Sequence, residues 1–174
     1  MPKETKELDD SLVHIVFRNP SQESYAAPTR PTAVLGAHVM HKGLQLGGAI
    51  GASSSVLLAL AGPRGFRFVK RLVQITALTS TAGMATGVGG AVKKISSLPE
   101  SEQQDGIEDR AFRIFHNRKQ NLVDRYSCVG VGMGMIGGTV VCGLSLSGLI
   151  GGAGLGAAAA IGVVIAKNKT ASQK

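Results

Sequence analysis

Several residue groupings in this chain are of types that could do chemistry, and each lacks a partner that the chemistry would need. His38 and His41 stand three apart and would share one helical face, but no Cys, Asp or Glu lies near them in sequence to complete a metal site, so interfacial histidines are the expectation. A literal GxGxxG occurs at Gly132, Gly134 and Gly137. A dinucleotide site would need a strand before it and an acid after it, whereas no acidic residue occurs from Tyr126 to the end of the chain. The hydroxyls of Thr76, Thr79, Ser80, Thr81 and Thr86 have no nearby His or acid to activate them as nucleophiles, which leaves hydrogen bonding between helices. Cys128 and Cys142 are 14 residues apart in one expected helix, about 21 Å along its axis, too far for a disulfide. These observations predict no catalytic residue, no metal and no small-molecule substrate.

The elements that hold these residues are defined by missing charge. From Tyr126 to Ala166 there are 41 consecutive residues without a charged side chain, about twice the roughly 20 a helix needs to cross a bilayer. Gly43–Pro63 and Leu72–Val92 are two further uncharged windows of 21 residues, each rising about 31 Å as a helix. The expected fold is therefore an all-α membrane protein. Four transmembrane helices, about 38–61, 68–95, 123–144 and 148–166, form two hairpins, and a charged helix at about 107–122 lies at the interface with its apolar face Ile107, Ala111, Ile114, Phe115 and Leu122. The tetrapeptide Ser145–Gly148 is the expected turn between the last two spans. The halves echo one another in pattern rather than residue by residue.

The windows hold 21 of the 24 glycines, and the glycines are spaced for packing. Gly43, Gly47 and Gly51 recur every four residues in the first span, and Gly83, Gly87 and Ala91 in the second. Gly130, Gly134 and Gly138 do so in the third, and Gly148, Gly152, Gly156 and Ala160 in the fourth. A four-residue interval keeps them on one helix face, where a missing side chain lets another backbone approach. Glycine costs about 1 kcal/mol relative to alanine in a helix, so the chain gives up helix stability for close contact.

The formal charge of +8 does not point to nucleic acid, because only 4% of the residues are aromatic and no binding module is present. The cations instead cluster at window ends, as Arg64, Arg67, Lys70, Arg71, Lys93 and Lys94, where lipid phosphates are the expected partners. Glu4, Glu7, Asp9 and Asp10 disfavour a cleaved presequence. Residues 1–35 read as an amphipathic segment with Leu8, Leu12, Ile15 and Val16 on one face, followed by an arm broken by Pro20, Pro28 and Pro31. Residues 36–167 form the membrane domain, and 168–174 a basic tail.

Four short glycine-zipper helices, a basic link between the first two, and Asp124, Arg125 and Tyr126 ahead of Gly130 resemble the mitochondrial Tim superfamily over about residues 36–167. That family includes import translocase subunits and an accessory membrane subunit of respiratory complex I. The stretch Arg113, Ile114, Asn117, Gln120, Asp124, Arg125 and Gly130 is more similar to the complex I member. The resemblance implies a multi-pass protein of the mitochondrial inner membrane, uncleaved, with both termini in the intermembrane space and Arg64–Arg71 facing the matrix. Counting Lys and Arg opposes that orientation, with 15 on the terminal side and 4 on the other, although most of the 15 lie in acid-rich segments or far from a span. Expected partners are other membrane subunits of a large complex and membrane lipids, with a bound phospholipid such as cardiolipin in place of a cofactor. A translocase subunit, with a polar groove along the first two spans, is the alternative.

Overall fold

The computed structural model describes residue 28 and residues 30–61 and 66–172, which from Pro31 onward are helices and the short joints between them. Five α-helices follow in order: α1 Pro31–Ala61, α2 Phe66–Ser96, α3 Glu100–His116, α4 Arg118–Cys142 and α5 Leu146–Ser172. Among the described residues there is no strand. The amphipathic segment at 8–16 and most of the proline-rich arm lie outside the described residues. The arm is expected to continue past Pro31 to residue 35, but Pro31 opens α1: proline suits a first helical position, where its missing N–H has no intrahelical partner to lose.

The single interfacial helix expected at 107–122 is two elements. α3 carries Glu100 and Glu102 in its first turn and Arg113 and His116 in its last, each sign favoured at its end of the helix dipole. The chain then breaks at Asn117, whose backbone is extended (φ −80°, ψ 92°) and whose side chain accepts a hydrogen bond from the Gln120 N–H at 3.1 Å, capping α4. The turn between the last two helices also falls earlier than the tetrapeptide expected. Gly143 ends α4 at φ 73°, a conformation that favours glycine, and Ser145 Oγ accepts from the Gly148 N–H at 3.1 Å to cap α5.

Glycine pairings fix the packing. Down α1, Gly43 meets Gly83, Gly47 meets Thr79 and Ser80, and Gly51 meets Thr76, so α1 and α2 run antiparallel. Gly130 with Gly156, Gly134 with Gly152 and Gly138 with Gly148 make α4 and α5 a second antiparallel hairpin. The hairpins join through α5, where Gly48 lies against Gly154 and Gly151 against the Val73 carbonyl. α3 closes one end, with Ala111 and Phe115 buried as is Val34 of α1.

Among the described residues, one helix is long and apolar enough by itself to cross a membrane, Leu146–Thr170 with mean hydropathy 2.1. Four transmembrane helices are the expectation from the sequence, and three of them do not reach that hydropathy on their own. The others are diluted by the residues that pack them: Gln74, Thr76, Thr79, Ser80 and Thr81 with four glycines in α2, and five glycines between Tyr126 and Cys142 in α4.

Candidate functional site

The residues with most to offer are those that hold the two hairpins together, since no described group of three or more His, Cys, Asp and Glu could hold a metal ion. At the heart of each hairpin the backbones touch. A Cβ on Gly43 or Gly83 would strike the carbonyl oxygen of the other, and the same is true within the pairs Gly130–Gly156, Gly134–Gly152 and Gly138–Gly148. A Cβ on Gly47 would meet the Thr79 carbonyl, and one on Gly51 the Thr76 backbone. Gly87 is looser, since a Cβ there would lie 3.1 Å from the Val39 carbonyl oxygen. All eleven ladder glycines thus face a neighbouring helix, whereas Gly132 and Gly137, the outer members of the GxGxxG, have nothing within 4 Å.

Where two hairpins meet at α5, the buried side chains are small and often polar. Thr76, Ser80, Ser55 and Ser127 are fully buried. Ser55 Oγ donates to the Gly51 carbonyl at 2.7 Å, which satisfies it within its own helix. The hydroxyls of Thr76, Ser80 and Ser127 find no partner among the described residues. Thr76 and Ser80 face Gly154 of α5 and Thr79 faces Gly51, so these hydroxyls point into the closed bundle and not into an open groove.

A polar clamp lies at one end. Its lower members come from α1 one turn apart, His38, His41, Lys42 and Gln45, and its upper members from the start of α4, Asp124 and Cys128. Lys42 Nζ donates to Asp124 Oδ1 at 2.5 Å and to Gln45 Oε1 at 2.9 Å, and Gln45 Nε2 donates to the same carboxylate at 3.2 Å. His38 Nδ1 is 3.6 Å from Asp124 Oδ2, and His41 Nε2 is 3.9 Å from Cys128 Sγ. Asp124 and Lys42 lie just outside the uncharged windows that open at Tyr126 and Gly43. Burial would push the Asp124 carboxyl up, but contacts from His38, Lys42 and Gln45 and the ammonium charge outweigh it and hold the group at about 2. This is a charge-assisted tie between hairpins, and its atoms are engaged with one another rather than presented to a ligand. The sequence reading missed it because the partners of His38 and His41 are more than 80 residues away.

The basic residues assigned to lipid headgroups divide between the two ends. Arg67, Lys70 and Arg71 are exposed at the start of α2, Lys93 and Lys94 are exposed in its last turn, and Arg64 lies outside the described residues. Lys167, at the clamp end, places its ammonium 5.1 Å from the Tyr126 ring centre. Cys128 and Cys142 are both free thiols.

One family model matches this chain, over residues 16–166, from the amphipathic segment through the end of the last uncharged window. The chain belongs to the family described as protein of unknown function DUF1757. No curated protein and no solved structure matches it. The DUF1757 match takes in the clamp residues and every ladder glycine.

Proposed function

We propose that this DUF1757 chain is a non-catalytic structural subunit embedded in a membrane, its uncharged stretches 43–61, 72–92, 126–142 and 146–166 being the embedded parts of four helices in two glycine-zipper hairpins. The observation that carries the reading is an inverted distribution of side chains. Val140 is 79% exposed, Leu78 73% and Met133 71%, while Ser55, Thr76, Ser80 and Ser127 are fully buried. Water-soluble folds bury large aliphatic residues and leave hydroxyls outside. In lipid the preference between Leu and solvent vanishes, and small residues that let backbones touch take the interior. The modest hydropathy of α2 and α4 fits spans that depend on neighbours to stay inserted.

The resemblance to the Tim superfamily supports a specific setting: the mitochondrial inner membrane, and an accessory subunit of complex I that stabilises its membrane arm. Packing faces turned inward and bare aliphatic faces turned outward suit a subunit surrounded by other membrane helices and lipid. The translocase alternative requires a hydrated polar face; Thr76, Thr79 and Ser80 turn theirs toward α1 and α5, which leaves only Gln74, Thr81 and Thr86 within the uncharged stretch of α2 exposed to supply one. Blue-native electrophoresis of gently solubilised mitochondria carrying a tagged copy distinguishes the two. Co-migration with NADH dehydrogenase activity is the expected result; co-migration with import subunits would replace this assignment with the translocase one.

A further inference from the structure

The glycine contact between α1 and α2 opens toward the clamp end. A Cβ on Gly83 would strike the Gly43 carbonyl oxygen, one on Gly87 would lie 3.1 Å from the Val39 carbonyl oxygen, and one on Gly36, further along α1, would meet nothing within 4 Å. On α1 the glycine ladder stops at Gly43, with Val39 four residues before it, and Gln103 and Ile107 of α3 lie across the opening. What remains is a partly open cavity of about 310 Å³ between α1, α2 and α3, with Val88 and Val92 exposed at its rim.

Its chemistry is graded along its length. Leu35, Val39, Val88 and Val92 line it on the α1 and α2 sides, and Ile107 of α3 covers it. Its polar lining residues, Thr32, Ser96 and Gln103, come from the first turn of α1, the last residue of α2 and the first turns of α3. No charged side chain lines it. Lys93 and Lys94 are exposed on the same last turn of α2 as Ser96. The apolar depth, the polar end and the adjacent cations follow the order of an amphiphile: hydrocarbon, ester region, phosphate.

An apolar cavity of about 150 Å³ stays dry and takes up benzene, so roughly twice that volume suits about twelve carbons of hydrocarbon rather than water. We propose that this cavity binds one acyl chain of a membrane glycerophospholipid, its headgroup at the end formed by Thr32 and Ser96. The inference rests on the membrane reading above. It adds a defined lipid site to a surface that otherwise meets lipid without selectivity.

The test uses the full chain reconstituted into phosphatidylcholine vesicles containing a minor share of phosphatidylcholine with a diazirine in one acyl chain. After irradiation, cross-linked residues are mapped by mass spectrometry. The expected result is labelling of Leu35, Val39 and Ile95, lining residues that are only partly exposed, above that of the outer residues Met133 and Val140. Ala91→Phe, which fills the cavity, should lower the cavity labels about tenfold or more, since displacing about two buried methylenes forfeits that factor, and leave the outer labels unchanged. Gly36→Leu enters the same space from α1, where there is room for it, and gives the same reading should Ala91→Phe fail to fold. Cavity labels no stronger than the outer ones, or untouched by both fillings, would overturn the lipid site alone. Absence of label from Met133 and Val140 as well would overturn the membrane reading and the site with it.

Discussion

Two glycines on the same helix, three residues apart, give a comparison in which most unknowns cancel. A Cβ on Gly134 would collide with the Gly152 carbonyl oxygen and lie 3.0 Å from the Gly156 Cα, all backbone that no rotamer change can move. A Cβ on Gly137 would meet nothing within 4 Å. Replacing either by alanine gains the same helix propensity, about 1 kcal/mol. That gain therefore drops out of the difference, leaving the cost of forcing α4 and α5 apart, about 1–3 kcal/mol by the usual scale of overpacking. Gly137→Ala should stabilise the purified, detergent-solubilised chain by about 1 kcal/mol, and Gly134→Ala should be less stable than it by about 1–3 kcal/mol. Reversible unfolding followed by circular dichroism measures both. Equal stabilities for the two variants would refute the ladder as a packing device. Gly134→Leu extends the series and should abolish assembly into any larger complex.

The clamp makes its own demands. Asp124→Asn and Lys42→Ala should each cost about 1–3 kcal/mol, and the double variant clearly less than their sum, because each single change strands a partly buried partner; strictly additive effects in a double-mutant cycle would show that the contact contributes nothing. Because the folded carboxyl is held at about 2, below its ordinary value of 3.8, its contribution is present above about pH 4 and is lost as pH falls toward 2. The stability gap between the native chain and Asp124→Asn should accordingly be flat from pH 7 to about 5 and shrink only below about 4, and a gap that closes near neutral pH would contradict the assignment. Gly143→Ala should destabilise the chain by about 1 kcal/mol despite open space around it, since the φ of 73° is unfavourable to an L side chain; an unchanged midpoint in the same unfolding assay would mean the turn relaxes freely.

The four-residue glycine spacing was legible because it is local: repeats at one interval fix which face a helix offers before any partner is known. The registers between helices were not, since nothing in the sequence says that Gly43 should meet Gly83 rather than Gly87. The break at Asn117 had a signal in the Asn and Gln three residues apart, an N-capping pattern, but the apolar positions from Ile107 to Leu122 suggested continuity. The clamp left no local trace, because Lys42 and Asp124 are 82 residues apart and come together only once both hairpins have docked on α5. The cavity was equally hidden. It arises where a ladder stops, and its roof comes from a helix with no glycine seam of its own.

The central claim is that the aliphatic faces of α4 are turned to lipid. It is tested most directly by single cysteines at Met133, Ile136 and Val140, in a Cys128→Ser, Cys142→Ser background, probed in intact membranes with a membrane-impermeant maleimide. All three positions are well exposed, Val140 most of all. The account predicts that they stay unreacted until detergent is added, while a cysteine at the exposed Lys94 position reacts when its side of the membrane is accessible. Ready labelling of Met133→Cys, Ile136→Cys and Val140→Cys without detergent would place those faces in water and contradict it.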